Sequence, residues 1–281
     1  MSKITISVDK CGDLPQEVAE KLGIKQIYFG VAVGGELYSD KDFKAEDVYK
    51  AVEVDNILPK TNAGLEVDYR ELFEEATKDG GSIIHVSISD KLSASHSNAK
   101  RAAEGMERVY LINSKSLSGG IGLLAMKAHE FMTQGLPAPE IVKKVKAIRD
   151  NVDGGFIVND LKYLHRGGRV SGLKLLGANL LKIRPSLILE PDGRMVPGKK
   201  FKGDFAKACQ EYTKYRIEKN PNADKSFVFI LNTDIDKKIS DQMIADLKAA
   251  GFKEVMHAVA GATITTHCGR NTIGFFIMNQ G

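Results

Sequence analysis

Apolar and polar positions alternate in short stretches along the first half of the chain, and helical periodicity follows each stretch. The segment "KITISVD" (3–9) alternates β-branched with polar residues, which predicts a strand. "SIIHVSIS" (82–89) reads as a buried strand, and the amphipathic "LEVDYRELFEEATKDG" before it predicts a helix. A further helix is expected from Ser93 to Arg108. The alternation continues to about residue 150 and predicts a doubly wound, three-layer α/β/α domain with a parallel sheet.

The pattern changes after Gly154-Gly155. "PSLILEPDGRMVPGKK" (185–200) predicts a β-hairpin around a Pro-Asp-Gly turn, and residues 161–183 predict two helical pieces. Helices at 204–219 and 237–250 then alternate with apolar strands. We therefore expect a second α/β domain of two layers with a mixed sheet, and we divide the chain into residues 1–153 and 154–281.

Composition and charge exclude several classes of protein. The 40 basic and 36 acidic residues are scattered, which argues against a nucleic-acid partner. We expect no membrane span, because no apolar run approaches the roughly 18 residues required, and no secretory signal. Cysteines at 11, 209 and 268 are too far apart for a disulfide framework or a zinc site. The sequence predicts a cytoplasmic protein with reduced thiols, and it gives no indication of a metal or a cofactor.

Four polar loops are expected at or near the carboxyl ends of the first-domain strands, where open parallel sheets bind ligands. Helix N-termini at that edge would favour an anion. Each hydroxyl taken alone is explained by helix capping, and Asp13 is expected to cap the helix that follows it. Taken together, the segments favour a small anionic group such as a carboxylate or a phosphoryl group. They are "DKCGDLP" (9–15), "PKTNAG" (59–64), "SISDKLSAS" (87–95) and "NSKSLSGGIG" (113–122).

Two segments of the second half also carry candidate chemistry. "GATITTHCGRNTIG" (261–274) is expected to be a polar loop, and burying such a loop is costly without a ligand or water. His267 within it fits a structural role as well as a functional one. "LKYLHRGGRVSG" (161–172) is either a helix end with solvated arginines or a hinge or docking surface. The residues alone indicate a two-domain α/β protein that binds a small ligand with one polar end, without a recognisable catalytic set.

Six segments occur in the order of the motifs of a known family. "DKCGDLP" is similar to Asp-Ser-Thr-x-Asp-Leu-Pro, "LSASHSNA" (92–99) to Leu-Ser-Gly-Thr-Tyr-Gln-Ser-Ala, and "TTHCGRNTIGFF" (265–276) to an ending with Thr-His-x-Gly-Pro-Gly. The other matching segments are "KTNAG", "NSKSLSGGIG", and "LKYLHRGGRVS" with "LLKIRPSLIL". Over nearly its whole length the chain resembles the DegV family, the bacterial fatty-acid-binding proteins that carry lipid for fatty acid kinase.

The resemblance implies a long-chain fatty acid with its acyl chain in a buried tunnel and its carboxylate at the domain interface. It assigns the carboxylate to Thr61, Ser93 and His267, with Ser95 nearby. It also implies a partner, the ATP-binding subunit of fatty acid kinase, and therefore a chain that binds lipid without being an enzyme itself. The implied ligand-binding set is Thr61, Asn62, Ser93, Ser95, Lys202, Thr266, His267 and Arg270.

Several positions around the implied headgroup depart from the family pattern. Lys10-Cys11 stands for Ser-Thr, Ala94 for Gly, Lys202 for an Arg at a strand end, and Arg270-Asn271 for Pro-Gly. Lys lacks the bidentate geometry of Arg. Either Lys10 or Arg270 supplies compensating charge near the anion, or both point into solvent.

A second class of function stays open from the sequence. The substrate domain of dihydroxyacetone kinase has a similar architecture and holds a small ketone covalently on a histidine, which here would be His267. A lipid carrier needs a long apolar tunnel, whereas a ketone site needs a small polar pocket. The shape and lining of the cavity therefore distinguish the two classes.

Overall fold

The computed structural model describes residues 3–172 and 183–280, which form three sheets and the helices around them. Up to residue 151 the elements are β1 (Ile4–Asp9), α1 (Gln16–Lys21), β2 (Lys25–Ile27), β3 (Gly30–Val33), β4 (Glu36–Ser39), α2 (Ala45–Glu53), β5 (Lys60–Asn62), α3 (Glu66–Thr77), β6 (Ser82–Ser87), α4 (Ser95–Ala102), β7 (Val109–Asn113), α5 (Gly119–Thr133) and α6 (Ala138–Ile148). From residue 152 they are β8 (Val152–Val158), α7 (Lys162–Gly167), β9 (Ile183–Leu189), β10 (Met195–Lys202), α8 (Phe205–Lys219), β11 (Phe227–Asn232), α9 (Lys237–Ala249), β12 (Glu254–Val259), α10 (Ala262–Cys268) and β13 (Thr272–Met278).

The first sheet is parallel, with strands in the order β2-β1-β6-β7, and helices cover both of its faces. Successive side chains of a strand point to opposite faces. Ile83 of β6 therefore packs in the cluster with α3 and α4, whereas Ile84 and Val86 pack in the cluster with α5 and α6. Every residue of β6 is buried, as a central strand of such a sheet requires. The predicted three-layer α/β/α arrangement is confirmed.

The second sheet is mixed, with strands in the order β10-β9-β8-β13-β11-β12. Only β11 and β12 run parallel, and the other neighbouring pairs are antiparallel. On one face, Tyr212 of α8 and Leu247 of α9 share a core with Phe275. The opposite face, which includes Phe229 and Phe276, belongs to the same core as α5. The predicted mixed sheet is confirmed, and the domain boundary at residue 153, near the start of β8, stays a prediction.

Glycines near the start of α5 allow this helix to approach the second sheet closely. A Cβ on Gly119 would lie 2.6 Å from Leu231 Cδ1 and 2.7 Å from Phe276 Cδ2. A Cβ on Gly122 would lie 2.7 Å from Phe229 Cε1. Such distances do not occur without displacement of the neighbouring atoms. The glycine-rich segment "SGGIG" therefore serves helix-to-sheet packing.

A third, small antiparallel sheet has the order β4-β3-β5 and lies beside α2 and α10. Val31 of β3, Val48 of α2 and Ala262 of α10 form one buried cluster. Gly34 and Gly35, both with positive φ, form the turn between β3 and β4. This sheet brings β5 next to the last helix of the chain.

Four local predictions are wrong. Asp13 does not cap α1, because it adopts a left-handed conformation with φ of 49° and the helix begins three residues later. The helix expected from Ser93 to Arg108 spans only Ser95–Ala102, and the chain then turns through Gly105 at φ of 76°. "PKTNAG" contains the strand β5 instead of a loop, and "GATITTHC" forms α10. Of the two helical pieces expected within 161–183, the first is α7, and the second falls on residues 173–182, outside the described residues.

Replacing Gly122 with Ala should lower the free energy of unfolding by about 1–3 kcal/mol, because overpacking against Phe229 outweighs a gain of about 1 kcal/mol in helix propensity. Chemical denaturation followed by circular dichroism measures the change. Lys143→Ala, at an exposed position of α6, is the control and should alter stability by less than about 0.5 kcal/mol. An unchanged stability for Gly122→Ala would mean that α5 is not held tightly against the second sheet.

Candidate functional site

A cavity of about 220 Å³ lies at the junction of the two main sheets with α10. Its wall is mostly apolar, and polar side chains interrupt it at Thr61, Asn62, Ser93, Arg169, Thr263 and His267. A narrow second cavity of about 30 Å³ shares part of this wall and continues between α5 and the second sheet. The apolar wall of the larger cavity includes Phe29, Ile88, Leu92, Leu117, Phe156 and Met195.

The three residues predicted for the headgroup come from three separate segments. Thr61 lies on β5, Ser93 lies just before α4, and His267 lies in the last turn of α10. Thr61 Oγ1 is 2.7 Å from His267 Nε2, although 206 residues separate the two in the chain. Ser93 Oγ is 2.9 Å from Ser95 Oγ, which accepts a hydrogen bond from the N–H of Gly64, three residues after Thr61. The fold therefore brings the three predicted headgroup residues to the wall of one cavity.

His267 is a neutral hydrogen-bonding group at neutral pH. Burial, with a smaller contribution from the charge of Arg169, lowers its pKa to about 4. Nε2 contacts Thr61, whereas Nδ1 is buried without a hydrogen-bond partner among the described residues. A Cβ on Gly167 would lie 2.4 Å from this Nδ1, so a glycine is required there.

Two buried carboxyl groups of the first domain hold the beginning of α10. Asp13 Oδ1 accepts the N–H of Gly261 at 2.9 Å, and its Oδ2 accepts the Ser118 hydroxyl at 2.5 Å. Asp40 Oδ2 accepts the Thr263 hydroxyl at 2.7 Å. Burial raises the pKa of Asp13 to about 7. These bonds explain why a threonine-rich segment forms a helix, because they fix its first turn and thereby the position of His267.

Of the other predicted ligand-binding residues, Asn62 and Ser95 lie at the cavity, whereas Thr266 and Lys202 lie away from it. Asn62 lines the cavity, and Ser95 is fully buried behind Ser93. Thr266 lines a different cavity on the outer side of His267. Lys202 is exposed at the end of β10 and does not line the described cavity.

Arg270 also lies outside the cavity. Its Nε is 2.9 Å from Glu53 Oε1, its Nη1 pairs with Asp234, and its guanidinium stacks 3.8 Å from the centre of the Tyr49 ring. Lys10 donates to Gln26 Oε1 at 3.2 Å and likewise does not line the described cavity. Neither residue is in a position to supply the compensating charge considered from the sequence.

The outer cavity has a volume of about 300 Å³ and shares Thr61, Arg169 and His267 with the inner one. Lys60 and Arg166 add two further cations to its lining, and none of its described lining residues is acidic. The Thr61–His267 contact therefore separates an apolar inner space from a positively charged outer one.

Sequence reasoning missed the groups that support the site. The sequence predicts a helix cap for Asp13 and no role for Asp9, although both lie in the motif "DKCGDLP" at the end of a strand. Two carboxyl groups at such a strand end are a usable signal for a buried hydrogen-bonding role. Asp40 reaches the site through tertiary packing, and its sequence neighbourhood gives no comparable signal, whereas Arg169 lies in the segment 161–172 that is a candidate docking surface from the sequence.

The described ranges, 3–172 and 183–280, contain no group of His, Cys, Asp and Glu side chains arranged to hold a metal ion. Within the same ranges, no helix is both long and apolar enough to cross a membrane.

The fold and the cavity define an α/β protein with a parallel and a mixed sheet, in which one cavity has an apolar wall and a polar end. The chain matches the model of the DegV family over residues 3–280, and it belongs to that family. A DegV domain-containing protein of Caldanaerobacter subterraneus subsp. tengcongensis is 26% identical over 279 residues, covering 98% of this chain and 99% of the relative.

Two further similar proteins are known for lipid binding. A fatty acid-binding protein of Thermotoga maritima is 28% identical over 282 residues, covering 98% of this chain and 97% of the relative. The structure of a DegV family protein of Thermus thermophilus, described for its fatty acid binding, is similar with a TM-score of 0.89 at 25% identity. That similarity covers 99% of this chain and 100% of the other.

Replacing Asp13 with Asn should change the pH dependence of stability while both hydrogen bonds remain possible. Because the folded pKa of about 7 lies above the unfolded value, folded Asp13 retains a proton that the unfolded carboxyl loses above about pH 4. The proton that Asp13 retains stabilises the folded state. This stabilisation is complete below about pH 4 and is lost as the pH rises to about 7.

Over that interval the wild type should lose up to about 4 kcal/mol of unfolding free energy relative to Asp13→Asn. Urea unfolding of both proteins at several pH values measures the difference. Parallel curves for the two proteins would contradict a raised pKa at Asp13.

Proposed function

We propose that this protein binds a long-chain fatty acid, with the acyl chain in the apolar cavity and the carboxyl group against Thr61, Ser93 and His267. The proposal is carried by one observation, an apolar wall that meets polar side chains from three separate segments. The fatty-acid-binding relatives from Thermotoga maritima and Thermus thermophilus support it, because the similarity extends over the whole chain.

The apolar wall and the polar groups have different tasks in this proposal. Burial of an acyl chain contributes roughly 0.8 kcal/mol per methylene, so about a dozen methylenes would contribute on the order of 10 kcal/mol. Each hydrogen bond to a charged headgroup adds only about 1.5–3 kcal/mol. The chain therefore dominates affinity, and the polar groups orient the headgroup.

In the proposed second step, a partner kinase phosphorylates the bound carboxyl group, and this cytoplasmic protein acts as a non-catalytic subunit. The outer cavity supports this step, because it opens on the far side of the Thr61–His267 contact. Lys60, Arg166 and Arg169 line it, and such cations suit the phosphates of a donor nucleotide.

A small ketone bound covalently to His267 is the weaker candidate. Nε2 contacts Thr61, and Nδ1 is packed against Gly167, so both nitrogens are obstructed as nucleophiles. A small polar ligand would also leave the apolar wall uncovered. Both observations favour the fatty acid.

Purified protein, denatured and extracted, should release a long-chain fatty acid that mass spectrometry detects at close to one molecule per chain. Ile264→Trp should abolish this, because Ile264 lines the cavity and the indole would fill it. Ile244→Trp is the matched control, since this half-buried isoleucine lies on α9, away from the cavity. Wild-type extracts without an acyl chain, together with no rise in melting temperature on adding fatty acid, would contradict the proposal.

His267→Ala should impair phosphorylation of the bound lipid far more than lipid binding. The variant loses one headgroup contact but keeps the apolar wall, so affinity should fall by about tenfold. Calorimetric binding and acyl-phosphate formation with the partner kinase measure the two effects. His129→Ala, on α5, is the control. Equal losses in binding and phosphorylation would contradict the separate roles of chain and headgroup contacts.

A further inference from the structure

Exposed hydrophobic side chains are concentrated in one short part of the chain. Among the described residues, eight large hydrophobic side chains are exposed, and seven of them lie between residues 37 and 67. The eighth, Val259, lies at the end of β12 in the second sheet. Single exposed hydrophobic residues are normal on a protein surface, but a concentration of them marks an interaction site. This part of the chain contains β4, α2, β5 and the start of α3.

The small sheet β4-β3-β5 is packed on one side only. Residues directly opposite each other on neighbouring strands point to the same face of a sheet. Val31, which is opposite Thr61, points to the buried face and packs against α2 and α10. Ala32, which is opposite Leu37 and Lys60, points to the other face, where Leu37 is 60% exposed and Lys60 is also exposed. This second side forms the open face of the sheet.

The open face borders both the inner and the outer cavity. Asn62, two residues after Lys60 on β5, belongs to the open face and lines the inner cavity. Lys60 and Leu58 line the outer cavity, and Leu58 is 44% exposed. Ile57 adjoins the β3–β4 turn, since a Cβ on Gly34 would lie 3.6 Å from its Cδ1. A molecule that covers the open face therefore lies beside the entrance to the headgroup site.

The charge of this region distinguishes between possible occupants. Residues 36–68 include nine acidic and four basic residues, a net charge of −5, whereas the whole chain carries +4. An anionic membrane surface attracts basic segments and would be repelled here. A second copy of this chain would bring the same acidic region against itself, which is also unfavourable. A partner protein whose apolar contact surface is flanked by Lys and Arg complements both the hydrophobic side chains and the charge.

We propose that the open face, with Ile57 and Leu58 at its edge, is the docking surface for the kinase subunit, and that the kinase meets it with an apolar patch flanked by basic residues. The inference rests on the proposed function, in which the kinase brings a phosphate donor to the outer cavity. Leu58 and Lys60 belong both to this cavity and to the docking surface. A partner bound there lies next to the donor site without contacting the buried acyl chain.

Leu37→Lys and Ile57→Lys test this surface, because both side chains are exposed and neither lines a described cavity. Each variant should raise the KM of the kinase for the fatty-acid-loaded protein by about tenfold or more, since an apolar contact is lost and a like charge faces the basic partner surface. The kcat and the affinity for hexadecanoic acid should not change. Val259→Lys is the matched control, because Val259 is 61% exposed and lies outside this region. Its KM should equal that of the wild type.

The results separate failure of the docking surface from failure of the proposed function. An unchanged KM in both lysine variants would overturn the inference and leave fatty acid binding and phosphorylation intact. Wild-type protein that binds hexadecanoic acid but is not phosphorylated on it by the kinase would overturn the inference together with the kinase step. Wild-type protein that binds no fatty acid would overturn the proposed function itself.

The charge of the partner surface is tested with Asp55→Lys, which reverses an exposed charge two residues before Ile57. The variant should raise KM several-fold at low ionic strength, and added sodium chloride should reduce the difference from the wild type, because salt screens exposed charges. Asp79→Lys, at an exposed position just after α3, is the control for the same change in net charge. Equal KM values for the two variants at low ionic strength would overturn the assignment of a basic partner surface.

Two further measurements detect the other occupants of the open face. Wild-type protein should not co-sediment with vesicles of phosphatidylglycerol and phosphatidylcholine. Co-sedimentation that Leu37→Asp abolishes would assign the face to a membrane and overturn the inference. In sedimentation equilibrium, a wild-type dimer that Leu37→Lys dissociates would assign the face to a second copy of this chain and would likewise overturn it.

Discussion

Helix α5 lies between the two main sheets and packs against both, and the geometry of the site depends on this double contact. Ile121, Leu124 and Ala125 belong to a core that also includes Ile84 of the first sheet and Phe229 of the second. Because Gly119 and Gly122 leave no room for a Cβ, the spacing between helix and second sheet is fixed by direct contact. Residues from opposite ends of the chain can therefore form one wall of one cavity.

The polar end of the cavity is held by bonds from the same core. Asp13 connects the start of α5, through Ser118, to the start of α10, through Gly261. Burying this carboxyl group is unfavourable, as its raised pKa records, and the two hydrogen bonds offset part of that cost. The result is a short helix with a defined position, and His267 in its last turn can meet Thr61 from the small sheet. The position of His267 beside Thr61 thus derives from the bonds that Asp13 makes to the starts of α5 and α10.

The sequence predicts those parts of the fold that depend on local pattern. The alternation around β6 and the Pro-Asp-Gly turn between β9 and β10 have the predicted form, because burial and backbone geometry are encoded within a few residues. The helix α10 was not predicted, since β-branched threonines disfavour an isolated helix and its stabilising partners, Asp13 and Asp40, are more than 200 residues away. The position of Arg270 was not predictable for the same reason, as Glu53 is 217 residues away in the chain. Of the resemblance-based residues, Thr61, Asn62, Ser93 and His267 line the cavity, whereas Arg270 does not, although it lies in a segment that resembles the family pattern.

Hydroxyl groups are crowded around α4 because several buried polar groups near the cavity need hydrogen-bond partners. Ser87 bonds to His96 at 2.7 Å, and Ser89 donates to the carbonyl of Gly193 at 2.8 Å, joining the first domain to the β9–β10 turn. Ser95 is committed to the core, so Ser93 alone of these four serines lines the cavity. Most hydroxyl groups of this stretch therefore satisfy buried polar groups of the protein, and one is left at the wall of the cavity.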